Sequence, residues 1–256
     1  SMLGDKNNYK IFIEKDLNNK IKKRFIIKKN SPTILKKRFV DSVTNNKTLG
    51  VYSINDEPLD MINENKLISI LEKEIPKHDI VIVSDFGHGF ISPKIAKLIS
   101  KKSSFLSLNA QINAANIGFH TIENYQNVDC LIINEGELRH HFKDRLSNIE
   151  NLMVKVAEKL NSKKITVTRG SNGVVLYDVI KKSFFSCPAF ASKVVDKVGS
   201  GDAMLSLLSV FLKMKYSNDL SLLISSFGAA QSVESIGNSK SINKTLLVKS
   251  LIHALK

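Results

Sequence analysis

The stretch Val194–Leu212, VVDKVGSGDAMLSLLSVFL, decides the fold class because it joins a glycine-rich turn to an apolar run of helical length. Glycine is unfavourable inside a helix but suits a tight turn that brings backbone close to a ligand. A helix that begins after this turn directs free N–H groups and the positive end of its dipole outward, which makes an anion site. Asp202 lies within that site. A carboxylate there is explained if it removes a proton from the group that attacks the anion.

The rest of the run predicts an ordinary buried helix. Apolar side chains recur at helical spacing and would form one face: Ala203, Met204, Leu207, Leu208, Phe211 and Leu212.

Composition indicates a globular protein and gives little support for a dedicated nucleic-acid binder. The 256 residues are 43% hydrophobic, enough for a single domain with a full core. The net charge of +14 comes largely from lysine pairs scattered along the chain, which predicts non-specific attraction for anions such as phosphorylated substrates. Cys130 and Cys187 lie in apolar stretches and predict buried thiols in the cytoplasm. No stretch has the length of a membrane span.

Short apolar strands alternate with helical segments, which predicts a largely parallel sheet covered by helices on both faces. Four of these strands end in Asp85, Asn109, Asn134 and Thr168. In open α/β sheets this edge forms the ligand crevice, so we expect these residues beside the glycine-rich turn. Each of them could instead simply cap a turn.

Five segments resemble the ribokinase-like, or phosphofructokinase-B type, carbohydrate kinases. Residues 196–202, DKVGSGD, are similar to the family's C-terminal signature. Residues 134–137, NEGE, and 168–173, TRGSNG, resemble its N-x-x-E element and its nucleotide turn. Residues 84–89, SDFGHG, and 31–40, SPTILKKRFV, resemble the branch that phosphorylates heptose phosphates. The resemblance covers nearly the whole chain and implies a three-layer α/β fold with a small β lid around residues 24–54.

The residues and the resemblance together predict a set of site residues. We assign catalysis to Asp202 with Gly199, Ser200 and Gly201; nucleotide binding to Asn134, Thr168, Arg169, Gly170, Gly173 and Asp196; substrate binding to Lys36, Arg38, Asp85 and Asn109; and Mg²⁺ binding to Glu137 and Asn134. The resemblance implies ATP and Mg²⁺ as cofactors and allows K⁺ at the loop around Asp196. It also implies a cytoplasmic homodimer formed through the lid.

Several of these assignments have simpler alternatives. Lys36 and Arg38 alternate on a strand and face one side, so they could contact a substrate phosphate or only solvent. Asp202 could act only as a helix-start carboxylate that favours the dipole, and Glu137 as a solvated helix residue. The loop that carries Gln111, Asn113 and Asn116 is polar enough to line a sugar pocket, although asparagine is common in this chain.

The sequence also departs from the family pattern. Lys197 stands where threonine is usual, and His88 stands where lysine is common. Residues 1–256 do not include the Gly-Gly-x-x-N element that grips the sugar in the family, and the first residues resemble the segment that follows that element. We therefore expect one kinase domain over residues 1–256, incomplete at its N-terminus. Two alternatives to a sugar kinase stay open: a non-catalytic nucleotide-binding or assembly domain, and a fragment of a bifunctional kinase and nucleotidyltransferase.

Overall fold

A computed structural model describes residues 1–42, 47–111, 116, 120–191 and 193–255. Residues 43–46 of the predicted lid and Asn113 lie outside these ranges. The strands are β1 Met2–Gly4, β2 Ile26–Lys28, β3 Leu35–Val40, β4 Lys47–Ser53, β5 Val81–Asp85, β6 Leu106–Ala110, β7 Cys130–Asn134, β8 Lys164–Thr168, β9 Val174–Asp178 and β10 Ser183–Cys187. The α-helices are α1 Lys10–Asp16, α2 Met61–Glu74, α3 Pro93–Lys102, α4 Glu135–Phe142, α5 Ile149–Leu160, α6 Ser200–Lys213, α7 Asn218–Val233 and α8 Lys244–Ala254.

A six-stranded sheet in the order β10-β9-β8-β7-β6-β5 forms the centre of the molecule. Strands β5 to β8 are parallel to one another. At one end of the sheet, β9 runs antiparallel to β8, and β10 runs antiparallel to β9. The predicted α/β class and mostly parallel sheet are therefore confirmed.

Helices cover both faces of this sheet, as the unbroken apolar strands predict. In β7, Leu131 and Ile133 belong to one buried cluster, and Cys130 and Ile132 belong to a second. Successive strand side chains point to opposite faces, so the two clusters lie on opposite sides of the sheet. Helices α3 and α5 contribute to the first cluster, and α6 and α7 to the second.

Local signals place the helix starts where the sequence predicts them. The hydroxyl of Ser92 caps α3, with Pro93 as its first residue. The hydroxyl of Ser217 caps α7. Helix α6 begins after Gly199, which has a φ of 89° as its N-cap residue. This left-handed conformation favours glycine and explains the turn before the apolar run.

The lid is smaller than predicted. Strands β3 and β4 form a separate antiparallel ribbon, with Lys36 opposite Tyr52 and Arg38 opposite Gly50. Strand β2, which the sequence grouped with the lid, pairs in parallel with β1 instead. Strand β1 was not predicted, because three residues are too short to show a hydrophobic period. Among the described residues, no helix has both the length and the apolar character needed to cross a bilayer.

Candidate active site

The carboxyl ends of the parallel strands bring the predicted polar residues to one edge of the sheet. Asp85 ends β5, and Asn134 and Thr168, which end β7 and β8, are register partners. Asn109 lies one residue before the end of β6, where its side-chain amide donates to the Ile132 carbonyl at 2.8 Å. The sequence thus predicted this edge, although Asn109 itself bonds to the neighbouring strand.

Residues 196–202, here called the anion loop, lead into α6 at this edge. Within the described residues, no side chain caps the start of α6, and a Cβ placed on Gly201 would meet no atom within 4 Å. The first-turn amides therefore open onto unfilled space, as an anion site requires. Asp202 is exposed in this turn, and Ser84 of β5 donates its hydroxyl to the Asp202 carboxylate at 3.1 Å.

Asp196, at the other end of the anion loop, is buried, and both of its carboxylate oxygens accept hydrogen bonds. Its Oδ1 accepts from the Val198 amide at 3.0 Å, and its Oδ2 accepts from the Gly237 amide at 3.1 Å. The Lys47 ammonium, from the start of β4, donates to the same Oδ1 at 2.6 Å. Burial alone would raise the pKa of Asp196, but Lys47 and the two amides outweigh it and hold the pKa below its usual value.

The predicted nucleotide turn is a single helical turn after β8, at Gly170–Asn172. The Arg169 amide donates to the Gly173 carbonyl at 2.8 Å and closes the turn. The Arg169 guanidinium donates to Glu135 Oε2 at 2.8 Å, which joins this turn to the start of α4. These bonds bring Thr168, Arg169, Gly170 and Gly173 next to the NEGE segment.

Asn134 and Glu137 form a reciprocal cap at the start of α4. The backbone N–H of Glu137 donates to Asn134 Oδ1 at 2.8 Å, and the backbone N–H of Asn134 donates to Glu137 Oε2 at 3.0 Å. Carboxylate and amide oxygens are the donor type that Mg²⁺ prefers, and Mg²⁺ commonly keeps several waters. Over the ranges that the structure describes, no three His, Cys, Asp or Glu side chains cluster as direct metal ligands. The pair therefore fits an ion held through water and phosphate.

Asp85 ends β5, on the side of the edge where we expect the substrate to bind. Both of its carboxylate oxygens already accept hydrogen bonds from the protein. Its Oδ1 accepts from the Gly87 amide at 3.0 Å, and its Oδ2 accepts from the buried Tyr125 hydroxyl at 2.7 Å. His120 Nε2 lies 3.6 Å from the same Oδ2. Any contact from Asp85 to a substrate would have to share these bonds.

A cavity of about 770 Å³ opens beside β5 and is lined mostly by apolar side chains, several of them from α2 and α3. Lys36, Asp85 and His88 contribute to its lining. The Lys36 ammonium lies 5.6 Å from the centre of the Phe86 ring, and burial lowers the Lys36 pKa. Arg38 is exposed and does not line this cavity; its guanidinium lies 6.0 Å from the Tyr52 ring centre instead.

His88 is held by the segment before α2. Its Nδ1 lies 2.8 Å from Asp56 Oδ1, and the residue is 5% exposed. Its other ring nitrogen, Nε2, is buried and has no hydrogen-bond partner within the described structure. His88 therefore has one ring nitrogen available in the cavity wall.

Sequence reasoning missed Ser84, Lys47 and Tyr125 as parts of this site. Ser84 lies inside a quoted motif, so its position before Asp85 was a usable signal. No local signal in the sequence points to Lys47 or Tyr125, because their partners lie 149 and 40 residues away in the chain.

Comparisons with known proteins agree with this geometry. The profile described as "pfkB family carbohydrate kinase" matches residues 2–245. The chain is 26% identical over 201 residues to the bifunctional protein HldE of Campylobacter jejuni subsp. doylei, a match that covers 77% of this chain and 41% of that protein. For HldE of Campylobacter fetus subsp. fetus the identity is 31% over 183 residues, with 67% and 37% covered. The chain thus spans less than half the length of these curated relatives.

Solved structures show the same fold at low sequence identity. Phosphofructokinase-2 from Escherichia coli in complex with potassium aligns with a TM-score of 0.75 and 12% identity, covering all of this chain and 81% of that one. Ribokinase from Thermotoga maritima aligns with a TM-score of 0.71 and 19% identity, covering 98% and 80%. The expected ribokinase-like architecture is thereby confirmed.

Proposed function

The chain belongs to the pfkB family of carbohydrate kinases, and on that premise we propose that it phosphorylates a hydroxyl of a sugar or sugar phosphate, with ATP as donor. The observation that carries this proposal is the exposed Asp202 carboxylate in the open first turn of α6. Amides and a base in one turn are what phosphoryl transfer to a hydroxyl requires.

Asp202 would accept the proton of the attacking hydroxyl as that oxygen approaches the γ-phosphate. The Ser84 hydroxyl, 3.1 Å from the carboxylate, would orient it. The Gly199, Ser200 and Gly201 amides and the dipole of α6 would stabilise the negative charge that develops on the transferred group. This arrangement favours a kinase over a purely nucleotide-binding domain, since binding alone gains nothing from a carboxylate beside the phosphates.

The nucleotide would lie along the ends of β7 and β8, over Thr168 and the turn closed by Arg169. Asn134 and Glu137 would hold Mg²⁺ through water. When bound, Mg²⁺ neutralises charge on the ATP phosphates. A K⁺ ion at Asp196 would be repelled by the Lys47 ammonium, which already contacts one of the carboxylate oxygens.

The acceptor would enter the cavity beside β5. Lys36 and His88 line this cavity, and either could bind a phosphate already present on the sugar. Arg38 would join them when the lid closes, because it follows Lys36 on the same face of β3. The positive charges of Lys36 and Arg38 favour a sugar phosphate over a free sugar.

We also propose that the lid joins two copies of the chain in the cytoplasm. Phe39 and Leu49 are register partners and are 53% and 57% exposed. Val51 lies on the same face and is 50% exposed. An apolar ribbon face of this kind favours pairing with a second copy. Cys130 and Cys187 are buried and unpaired, which suits a reducing compartment.

The proposal is tested by an ADP-release screen of sugars and sugar phosphates with ATP and Mg²⁺. We expect at least one sugar phosphate to give acceptor-dependent ADP release. Calorimetry with ADP runs in parallel on the wild type and a Gly170→Ala variant, which should bind ADP more weakly. ADP binding without turnover on any acceptor would instead favour the non-catalytic alternative.

A further inference from the structure

The pairing between the lid and the anion loop has no counterpart in the sequence motifs. Lys47 begins β4, yet its ammonium lies 2.6 Å from a carboxylate oxygen 149 residues further along the chain. The Asp196 side chain is 6% exposed, whereas that of Lys47 is 39% exposed. The ion pair therefore lies at the edge of a buried site, with the carboxylate as its inner member.

A buried carboxylate at this place needs a compensating positive charge. Ionised groups are costly to bury unless they are paired. Asp196 precedes a turn that, under the proposed function, binds the phosphates of ATP, and Asp202 adds a second negative charge to the same loop. Without a cation at Asp196, the loop would repel the anion for which its amides are arranged.

The Asp196 carboxylate already has a monovalent cation beside it. Both oxygens accept backbone amides, from Val198 and Gly237, and the Lys47 ammonium contacts the first of them. An ammonium group carries the same single positive charge as K⁺. A second monovalent cation at this carboxylate would be repelled by the first at short range.

We propose that Lys47 is the resident cation of the anion loop: its ammonium takes the place of a bound monovalent ion, so the loop keeps its shape without added K⁺. Lys47 is thus a positioning residue that acts through Asp196. The inference rests on the proposed function only in giving the loop a phosphate to bind. The charge pairing itself is independent of the ligand.

The first test measures thermal unfolding without ligand, in KCl and in tetramethylammonium chloride at equal ionic strength. We expect wild type to unfold at the same temperature in both salts. Lys47→Met leaves Asp196 without its cation and should lower the Tm by about 5 °C in tetramethylammonium chloride. KCl should restore part of this loss, because K⁺ can then approach the carboxylate.

Matched variants separate charge compensation from ordinary packing. Lys97→Met removes an exposed lysine of α3, outside the lid, and should behave like wild type in both salts. Lys47→Arg keeps the charge and should stay insensitive to K⁺. The double variant Lys47→Met with Asp196→Asn removes both charges and should lose the response to K⁺.

A second measurement repeats the series with ADP. In tetramethylammonium chloride, Lys47→Met should bind ADP about tenfold more weakly than wild type, a loss of about 1.4 kcal/mol, and KCl should recover most of it. A wild-type Tm or ADP affinity that rises with K⁺, or a Lys47→Met variant indifferent to K⁺, would overturn the inference. If ADP binds to none of the proteins, the proposed function is wrong, while the ligand-free comparison still decides the role of Lys47.

Discussion

Two glycine-rich turns at the same sheet edge contain aspartates, and they are built in opposite ways. In the turn after β5, Asp85 is buried and a Cβ on Gly89 would lie 2.2 Å from the Glu57 carbonyl oxygen. In the anion loop, Asp202 is exposed and a Cβ on Gly201 would meet open space. At Gly89 the first turn is packed against neighbouring backbone, whereas the second turn has open space at Gly201.

The two turns differ although both contain glycine and aspartate, so these residue types by themselves do not identify a catalytic site. In the first turn, glycine allows two backbone segments to pack and the carboxylate accepts bonds that hold them. In the second, glycine keeps side chains away from amides that a phosphate could reach.

The largest effect is expected for Asp202→Asn, which keeps the size of the side chain but cannot accept the proton. Turnover on the acceptor found by screening should fall by about 100- to 10,000-fold, the usual contribution of a positioned general base. The variant should keep the Tm and the ADP affinity of wild type, which calorimetry checks. Near-normal turnover would show that Asp202 is only a helix-start residue.

Gly89→Ala should cause the largest loss of stability. Gly89 has a φ of 74°, so alanine would be strained there and its Cβ would displace the backbone of residue 57. Both effects together should lower the free energy of unfolding by about 2–4 kcal/mol, measured by urea denaturation. An unchanged midpoint would mean that this turn is looser than the structure indicates.

Tyr125→Phe removes the hydroxyl that donates to Asp85 at 2.7 Å. A buried carboxylate oxygen then loses its donor, and the free energy of unfolding should fall by about 1–3 kcal/mol. Tyr216→Phe is the matched control; at 43% exposure it should change stability by less than about 0.5 kcal/mol. Equal effects from the two variants would contradict the structural role given to Asp85.

Gly201→Ala should have the smallest effect on stability, less than about 0.5 kcal/mol, because the new methyl group meets no neighbouring atom. Binding of ATP should nevertheless weaken severalfold, since the methyl group would enter the space proposed for the phosphates. A fall in stability similar to that of Gly89→Ala would remove the difference between the two turns.

Some parts of the sheet edge are easier to predict from sequence than others, for a physical reason. The start of α6 and the cap formed by Asn134 and Glu137 are set by contacts within a few residues, so a short motif contains all the information. The partner of Asp196 comes from the lid and that of Asp85 from a distant loop. A local sequence pattern cannot predict such long-range pairs, because their members meet only in the folded chain.

The same limit explains the errors in the fold. The long helices and the parallel strands follow from apolar periodicity and from caps. Strand β2 has the same alternating pattern whether it pairs with the lid or with β1, and its partner is decided by tertiary packing.

The two contacts that complete the anion loop also determine when the site can form. Ser84 meets Asp202 across 118 residues, and Lys47 meets Asp196 across 149. Closing loops of this length is entropically unfavourable until other contacts support it, and chains rich in such pairs fold slowly. Helical signal should therefore return early during refolding, and ADP binding last. On the ribosome, the strands of the central sheet, the last of which ends at Cys187, are made before the anion loop.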